Sequence, residues 1–264
     1  MPHTVRVNDV DISYQWDGAA AGPVVVLSNS LMSNFDMWDD TVPALADKYR
    51  VLRYDTRGHG RSGVTPGPYS IASLSQDLIA LLDALNVGKA HVVGLSMGGM
   101  IAQYVGANYP DRVLSLGLCN SASEMPPRST WAERIDAAQK GGIAALVDGT
   151  IKRWFREGFI AGSPKKIERV RQMVLATSVD GYIANASAVR DMSQTTMLLK
   201  IKAPTLVMTG RQDPACTVEQ GTVLHRMIDS SKFVIIEDAA HISNIEQPDL
   251  FNRNLRQFLD SVSP

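Results

Sequence analysis

The feature that most restricts the fold of this chain is a repeated switch in hydrophobic period. "GPVVVLSNS", "YRVLRYD", "KAHVVGLS", "DRVLSLGLCNSA", "APTLVMTG" and "SKFVIIEDAA" are short runs of aliphatic and β-branched residues. Runs of that length with little alternation mark strands covered on both faces, the environment of a parallel sheet. Helical patterns lie between them. "SLSQDLIALLDALNV" spaces its leucines at three and four, with Ser73 as the expected cap, and "MGGMIAQYVGANYP" is closed by Pro110. "CTVEQGTVLHRMI" and "PDLFNRNLRQFLDS" follow later strands in the same way. Such strand–helix alternation requires an α/β fold with a mainly parallel twisted sheet and helices on both faces. The start departs from it: "VRVNDVDISYQWDG" alternates and turns at Asn8-Asp9, so it reads as a hairpin, and "NFDMWDDTVPALADKY" reads as irregular, then helical.

The alternation also fails after residue 121. From "SASEMPPRSTW" to "MSQTTMLLK" the patterns are helical, with breaks at Gly141-Gly142, Gly158, Gly162-Ser163-Pro164 and Gly181. Residues 1–121 and 199–264 are therefore expected to form one α/β core, and residues 122–198 an inserted helical cap.

A net charge of −1 lacks the basic face that nucleic-acid binding needs. No apolar run approaches the ~18 residues of a membrane span. The first residues lack the basic-then-apolar order of a secretory signal. Two cysteines, Cys119 and Cys216, share no CxxC spacing. They fit a reduced compartment and exclude a four-cysteine zinc site. The expectation is a soluble, cytoplasmic protein with no metal, no nucleic acid and no membrane among its partners.

Chemistry is concentrated at "GLSMG", residues 94–98. It matches G-x-S-x-G between a predicted strand and a predicted helix, the context in which that pattern forms a sharp turn with an exposed serine. Side chains at Gly94 and Gly98 would crowd neighbouring backbone, and the helix after Ser96 aims its first N–H groups at the same spot. A serine hydroxyl needs a base. Of five histidines, His3 is expected in a frayed terminus, His225 lies in a helical pattern, and His91 opens the strand that carries Ser96, a strand length away. His59, in "RGHGRS", sits on a loop beside the predicted site. His241 follows "KFVIIEDAA" at the sheet's carboxyl end, where ligands of open α/β sheets bind, and is the best base by position. Asp213, in "TLVMTGRQDP", follows another strand at that edge and could orient the base. By itself an aspartate there would rather cap the following helix. Two amide donors for an oxyanion are expected from Met97, after the serine, and from Leu31, in the loop after "VVVLS".

With these residues placed, the chain resembles the α/β-hydrolase family over its whole length, in the order Ser96, Asp213, His241 and in "YDTRGHGRS" after the second parallel strand. "VLRYDTRGHGRSGVTPGPYSI", "GLSMGGMIAQ", "LCNSA", "TWAERI", "RWFREGF" and "AAHISNIEQP" are together similar to the 3-oxoadipate enol-lactone hydrolases. The resemblance implies an α/β-hydrolase fold and a serine carboxylic ester hydrolase of the β-ketoadipate route, with no cofactor. Its substrate would be a small anionic lactone, opened through an acyl-enzyme. The lactone carries one free carboxylate. Residues 121–198 hold eleven Lys or Arg against eight Asp or Glu, and a basic cap suits an acid. Arg134, three residues after Trp131, is the preferred carboxylate partner, with Arg128 and Arg190 as substitutes. Trp131 and Trp154 are candidates to wall the pocket. The same scaffold also serves carboxylesterases, other lactonases and perhydrolases, or a binding protein with a vestigial triad.

Overall fold

The computed structural model describes residues 1–263. Its single sheet has eight strands: β1 (His3–Val7), β2 (Val10–Gly18), β3 (Val24–Ser28), β4 (Arg50–Tyr54), β5 (Ala90–Leu95), β6 (Val113–Cys119), β7 (Thr205–Gly210) and β8 (Ser231–Ile236). Their spatial order is β1-β2-β4-β3-β5-β6-β7-β8. β1 pairs antiparallel with β2 through the expected two-residue turn, Val7 opposite Val10, and β2 pairs antiparallel with β4. All other pairs are parallel. The unbroken apolar runs have the expected cause, since every residue of β3, β5 and β7 is buried. Burying one such aliphatic side chain contributes about 1.5–3 kcal/mol, which makes these strands the anchor of the core.

Helices α1 (Ile71–Ala84) and α2 (Met97–Asn108) follow β4 and β5. The cap of α1 differs from expectation: Ser70 is the N-cap, and Ser73 is its reciprocal partner three residues on, each side chain bonding the other's backbone N–H. Residues 35–44 hold two short 3-10 turns, Phe35–Trp38 and Val42–Ala44, where a helix was expected. Each run is too short to propagate an α-helix past its costly nucleus. His3 belongs to β1, with its ring 5.6 Å from that of Tyr14.

Between β6 and β7 come α3 (Arg128–Gly141), α4 (Ala144–Trp154), α5 (Glu157–Gly162), α6 (Pro164–Leu175) and α7 (Val179–Asp191). The two ends of this stretch meet: Glu124 bridges Ser193, and the Gln194 N–H donates to the Ser123 carbonyl at 3.0 Å. The helices thus leave and rejoin the sheet at one place. After β7 follow α8 (Val218–Met227), then α9 (Ser243–Glu246) and α10 (Pro248–Val262) after β8. Phe251, Leu255, Phe258 and Leu259 make one buried stripe of α10. Among the described residues, no helix is long and apolar enough to cross a membrane.

Because β3, β5, β6, β7 and β8 run parallel, the loops after Ser28, Leu95, Cys119, Gly210 and Ile236 gather at one edge of the sheet. That edge holds the candidate site.

Candidate active site

Ser96 stands between β5 and α2 with φ 56° and ψ −117°, a conformation rare for a residue with a side chain. The turn closes only because two neighbours are glycines. A Cβ on Gly94 would lie 2.1 Å from the Gly98 carbonyl, and one on Gly98 would lie 2.1 Å from the Ser28 carbonyl oxygen. The turn is braced from β6, since the Ser96 N–H donates to the Cys119 carbonyl at 2.9 Å. The Ser121 hydroxyl donates to the Ser96 carbonyl at 2.9 Å.

His241 lies five residues past β8 and Asp213 three past β7, and Nδ1 of the imidazole is 2.9 Å from Oδ2 of the carboxylate. Asp213 is fully engaged. Oδ1 accepts from the Ala215 and Cys216 N–H groups at 2.8 and 2.9 Å, and Oδ2 also accepts from Asn120 Nδ2 at 2.9 Å. It does not cap α8; Thr217 does, in a capping box with Gln220. Four donors fix the carboxylate plane, so the imidazole is held at Nδ1. Among the described residues Nε2 has no hydrogen-bond partner.

Ser96 and His241 line one cavity of about 280 Å³. Its floor includes Ser30, Leu31 and Met100, and its wall Trp131, Arg134, Arg153, Trp154 and Val189. Residues of α3, α4 and α7 thus line the cavity beside Ser96 and His241. The N–H of Met97, first residue of α2, has no intrahelical acceptor, as for any helix start. Among the described residues the Leu31 N–H also donates to no protein group. The loop carrying Leu31 is tied down one residue later, where the Met32 N–H donates to His59 Nε2 at 3.0 Å. Burial pushes His59 down to about 4, so the ring stays a neutral acceptor. The rest of "YDTRGHGRS" is equally engaged. Asp55 accepts from the Phe35 and Arg61 N–H groups at 2.7 and 2.8 Å, and Arg57 makes a two-pronged pair with Asp77 at 2.7 Å.

Two guanidinium groups meet in the wall. Arg134 lies over the Trp131 ring at 4.6 Å, and its buried Nε has no hydrogen-bond partner. Arg153, which sequence reasoning missed, reaches the cavity from α4 and bonds only the Thr150 hydroxyl, at 3.2 Å. Burial, and then the charge of Arg134, push Arg153 down to about 10. Among the described residues neither forms a salt bridge. The substitutes are elsewhere: Arg128 is exposed outside the cavity lining, and Arg190 pairs with Asp191 at 2.7 Å. Asn120 and Ser121, in "LCNSA", were also missed, because their partners are 93 and 25 residues away.

Asp213, His241 and Cys216 also place possible metal-ligating atoms within 4.8 Å of one another. The donor set suits a cation poorly. The carboxylate and imidazole are bonded to each other, and burial pushes the Cys216 thiol far above its usual range, against the thiolate a metal requires.

The fold that carries these elements recurs in known proteins. Residues 23–162 match the family model described as the alpha/beta hydrolase fold. The chain belongs to the α/β-hydrolase family. It is 36% identical over 249 residues to 3-oxoadipate enol-lactonase 2 of Acinetobacter baylyi, covering 94% of this chain and 93% of that one. RutD of Pseudomonas syringae pv. syringae, provisionally named a carbamate hydrolase, is 29% identical over 247 residues, covering 92% and 95%. The crystal structure of the enol-lactonase from Burkholderia xenovorans LB400 superposes with a TM-score of 0.96 at 36% identity, covering 98% of this chain and all of the other. This α/β-hydrolase is accordingly an enzyme with hydrolases as its relatives. The Acinetobacter baylyi and Burkholderia xenovorans proteins are both named enol-lactonases.

Proposed function

We infer that the enzyme hydrolyses 3-oxoadipate enol-lactone to 3-oxoadipate. The observation that carries this reading is the pair of guanidinium groups, Arg134 and Arg153, in the wall of the cavity that holds Ser96 and His241, with no carboxylate partner among the described residues. A pocket of that charge suits a small anionic acyl compound, and two half-buried cations on one wall repel each other until an anion joins them.

In the proposed mechanism, His241 Nε2 takes the Ser96 Oγ proton as Oγ attacks the lactone carbonyl. Asp213, at Nδ1, holds the ring and stabilises its charge. The oxyanion is received by the Leu31 and Met97 N–H groups, two main-chain donors whose positions are set by the loop tie at Met32 and by the start of α2. Collapse breaks the bond between the acyl carbon and the ring oxygen. The enol oxygen leaves with the proton held on His241, and the enol tautomerises to the ketone. Water, deprotonated by His241, then attacks the acyl-enzyme and releases a second carboxylate. The reading places the enzyme in the β-ketoadipate route of aromatic degradation, in the cytoplasm, with residues 122–198 acting as a cap over the substrate.

The test is the loss of enol-lactone ultraviolet absorbance on adding purified protein, run beside Ser96→Ala. Hydrolysis that vanishes in the variant is expected. Failure on the lactone, with Ser96-dependent cleavage of p-nitrophenyl acetate intact, would move the assignment to another ester.

A further inference from the structure

The backbone on both sides of His241 is held from outside the sheet. The Ala240 N–H donates to Glu246 Oε2 at 2.7 Å, and the Ala240 carbonyl accepts from Asn120 Nδ2 at 3.1 Å. The Ile242 N–H donates to the Trp154 carbonyl at 3.1 Å. Glu246 Oε1 in turn accepts two bonds from Arg156, from its backbone N–H and from Nε, both at 3.1 Å. The Glu246 side chain is fully buried. Trp154 and Arg156 sit at the junction of α4 and α5, directly after Arg153. The stretch that lines the cavity with Arg153 and Trp154 is thus the stretch that grips the His241 loop.

We propose that Glu246 is a positioning residue that latches the inserted helices to the His241 loop through Arg156, so that the imidazole is aimed only when those helices are seated. A carboxylate is the group that this place needs. It must accept from three N–H donors on two separate segments, and a neutral amide would turn its NH2 toward one of them. Burial makes the requirement strict at the Ala240 N–H, which left without an acceptor there has no water to turn to. Arg156 also bonds Asp238 at 2.8 Å, but that carboxylate is exposed and touches no part of the His241 backbone through this pair.

The inference rests on His241 acting as base for Ser96. The experiment uses the full chain as Glu246→Gln, Arg156→Ala, the double variant and Asp238→Asn, with kcat and KM measured on p-nitrophenyl acetate and on the lactone, beside thermal midpoints. Glu246→Gln is expected to lower kcat about tenfold or more on both substrates, as misaimed groups do. KM should stay within about twofold. Arg156→Ala keeps its backbone N–H and should do less, and the double variant should be no slower than Glu246→Gln alone. Asp238→Asn should leave both constants unchanged. The latch is overturned if Glu246→Gln lowers only the midpoint, if it raises only KM for the lactone, or if the two losses simply add. Should Glu246→Gln fail to fold, Arg156→Ala decides, since unchanged kcat on the neutral ester overturns the proposal. Ser96→Ala separates the two readings. Esterase turnover surviving in it would sink the role given to Ser96 and His241, whereas a dead Ser96→Ala beside an unaltered Glu246→Gln would sink the latch alone.

Discussion

The Met32 N–H donates to Nε2 of the buried His59 ring at 3.0 Å, one residue past Leu31. The bond needs a neutral imidazole, and burial supplies it by pushing the group down to about 4. A histidine whose folded value lies below its unfolded one, about 6.5, is a stabilising element that is complete above pH 6.5 and is lost as pH falls from there through 4. The loss amounts to about 3 kcal/mol for a shift of this size. Asp55, pushed up to about 6 by burial, works the other way, being best tolerated at low pH and costly as pH rises through 6. The comparison that isolates His59 is therefore wild type against His59→Gln, which can still accept from Met32 but cannot titrate. Urea midpoints between pH 4 and 7 should show a steeper acid loss in the wild type. Parallel curves would mean that the ring does not titrate through unfolding.

The arginine pair makes a sharper claim about substrate charge. On the proposed reading, replacing Arg134 or Arg153 by Met should remove a charged hydrogen bond to the lactone carboxylate, about 1.5–3 kcal/mol, or roughly ten- to hundredfold in KM. Turnover of a neutral acetate ester should change far less. A guanidinium keeps its proton over the whole working range, so the loss in KM should not depend on pH. Equal losses on neutral and anionic esters in either variant would make these arginines packing residues only.

Asn120 carries a prediction of another kind. Its Nδ2 donates to both Asp213 and the Ala240 carbonyl, and its Oδ1 accepts from the Ser243 hydroxyl. It thus joins the carboxylate to the histidine's own segment. The residue has φ 44°, where glycine is unstrained. Asn120→Gly should therefore keep the backbone path and lose only the bridge. A fall in kcat of about tenfold at unchanged KM is expected, as for loss of orientation without loss of binding. Steady-state kinetics on p-nitrophenyl acetate check it. Wild-type kcat would show that the Ala215 and Cys216 N–H donors hold Asp213 unaided.

What could be read before the structure follows from where the determining forces act. The positions of Ser96, Asp213 and His241 are marked by local signals: glycines at fixed offsets, and polar residues directly after apolar runs. Arg134 was singled out by its spacing from Trp131 on one helix. Arg153 has no such mark, because only the packing of α3 against α4 brings the two guanidiniums to one wall. Asn120, Glu246 and the bond from Met32 to His59 were invisible for the same reason. Asn120 and the Met32–His59 bond join segments that the sheet places side by side, and Glu246 reaches Arg156 only through the packing of the inserted helices. The capping serine of α1 was misplaced by three residues because both members of a capping box are serines.

The crowding at the Ser96 turn gives the last expectation. A Cβ on Gly98 would stand 2.1 Å from the Ser28 oxygen, 2.5 Å from its carbon and 2.9 Å from the Asn29 oxygen. All three are backbone atoms at the end of β3, so no side chain can swing aside. Either α2 or the end of β3 must move, and β3 is bonded in register to both β4 and β5. Gly98→Ala should therefore cost more than the ~1–3 kcal/mol typical of an overpacked core. It should also displace the loop that carries Leu31. Gly88 is the matched control, for a Cβ there meets nothing within 4 Å. Soluble yield and thermal midpoints of the two variants, measured side by side, should separate clearly. A Gly98→Ala protein that folds with the wild-type midpoint would show that β3 can yield at this point, and crowding would then no longer explain why glycine stands there.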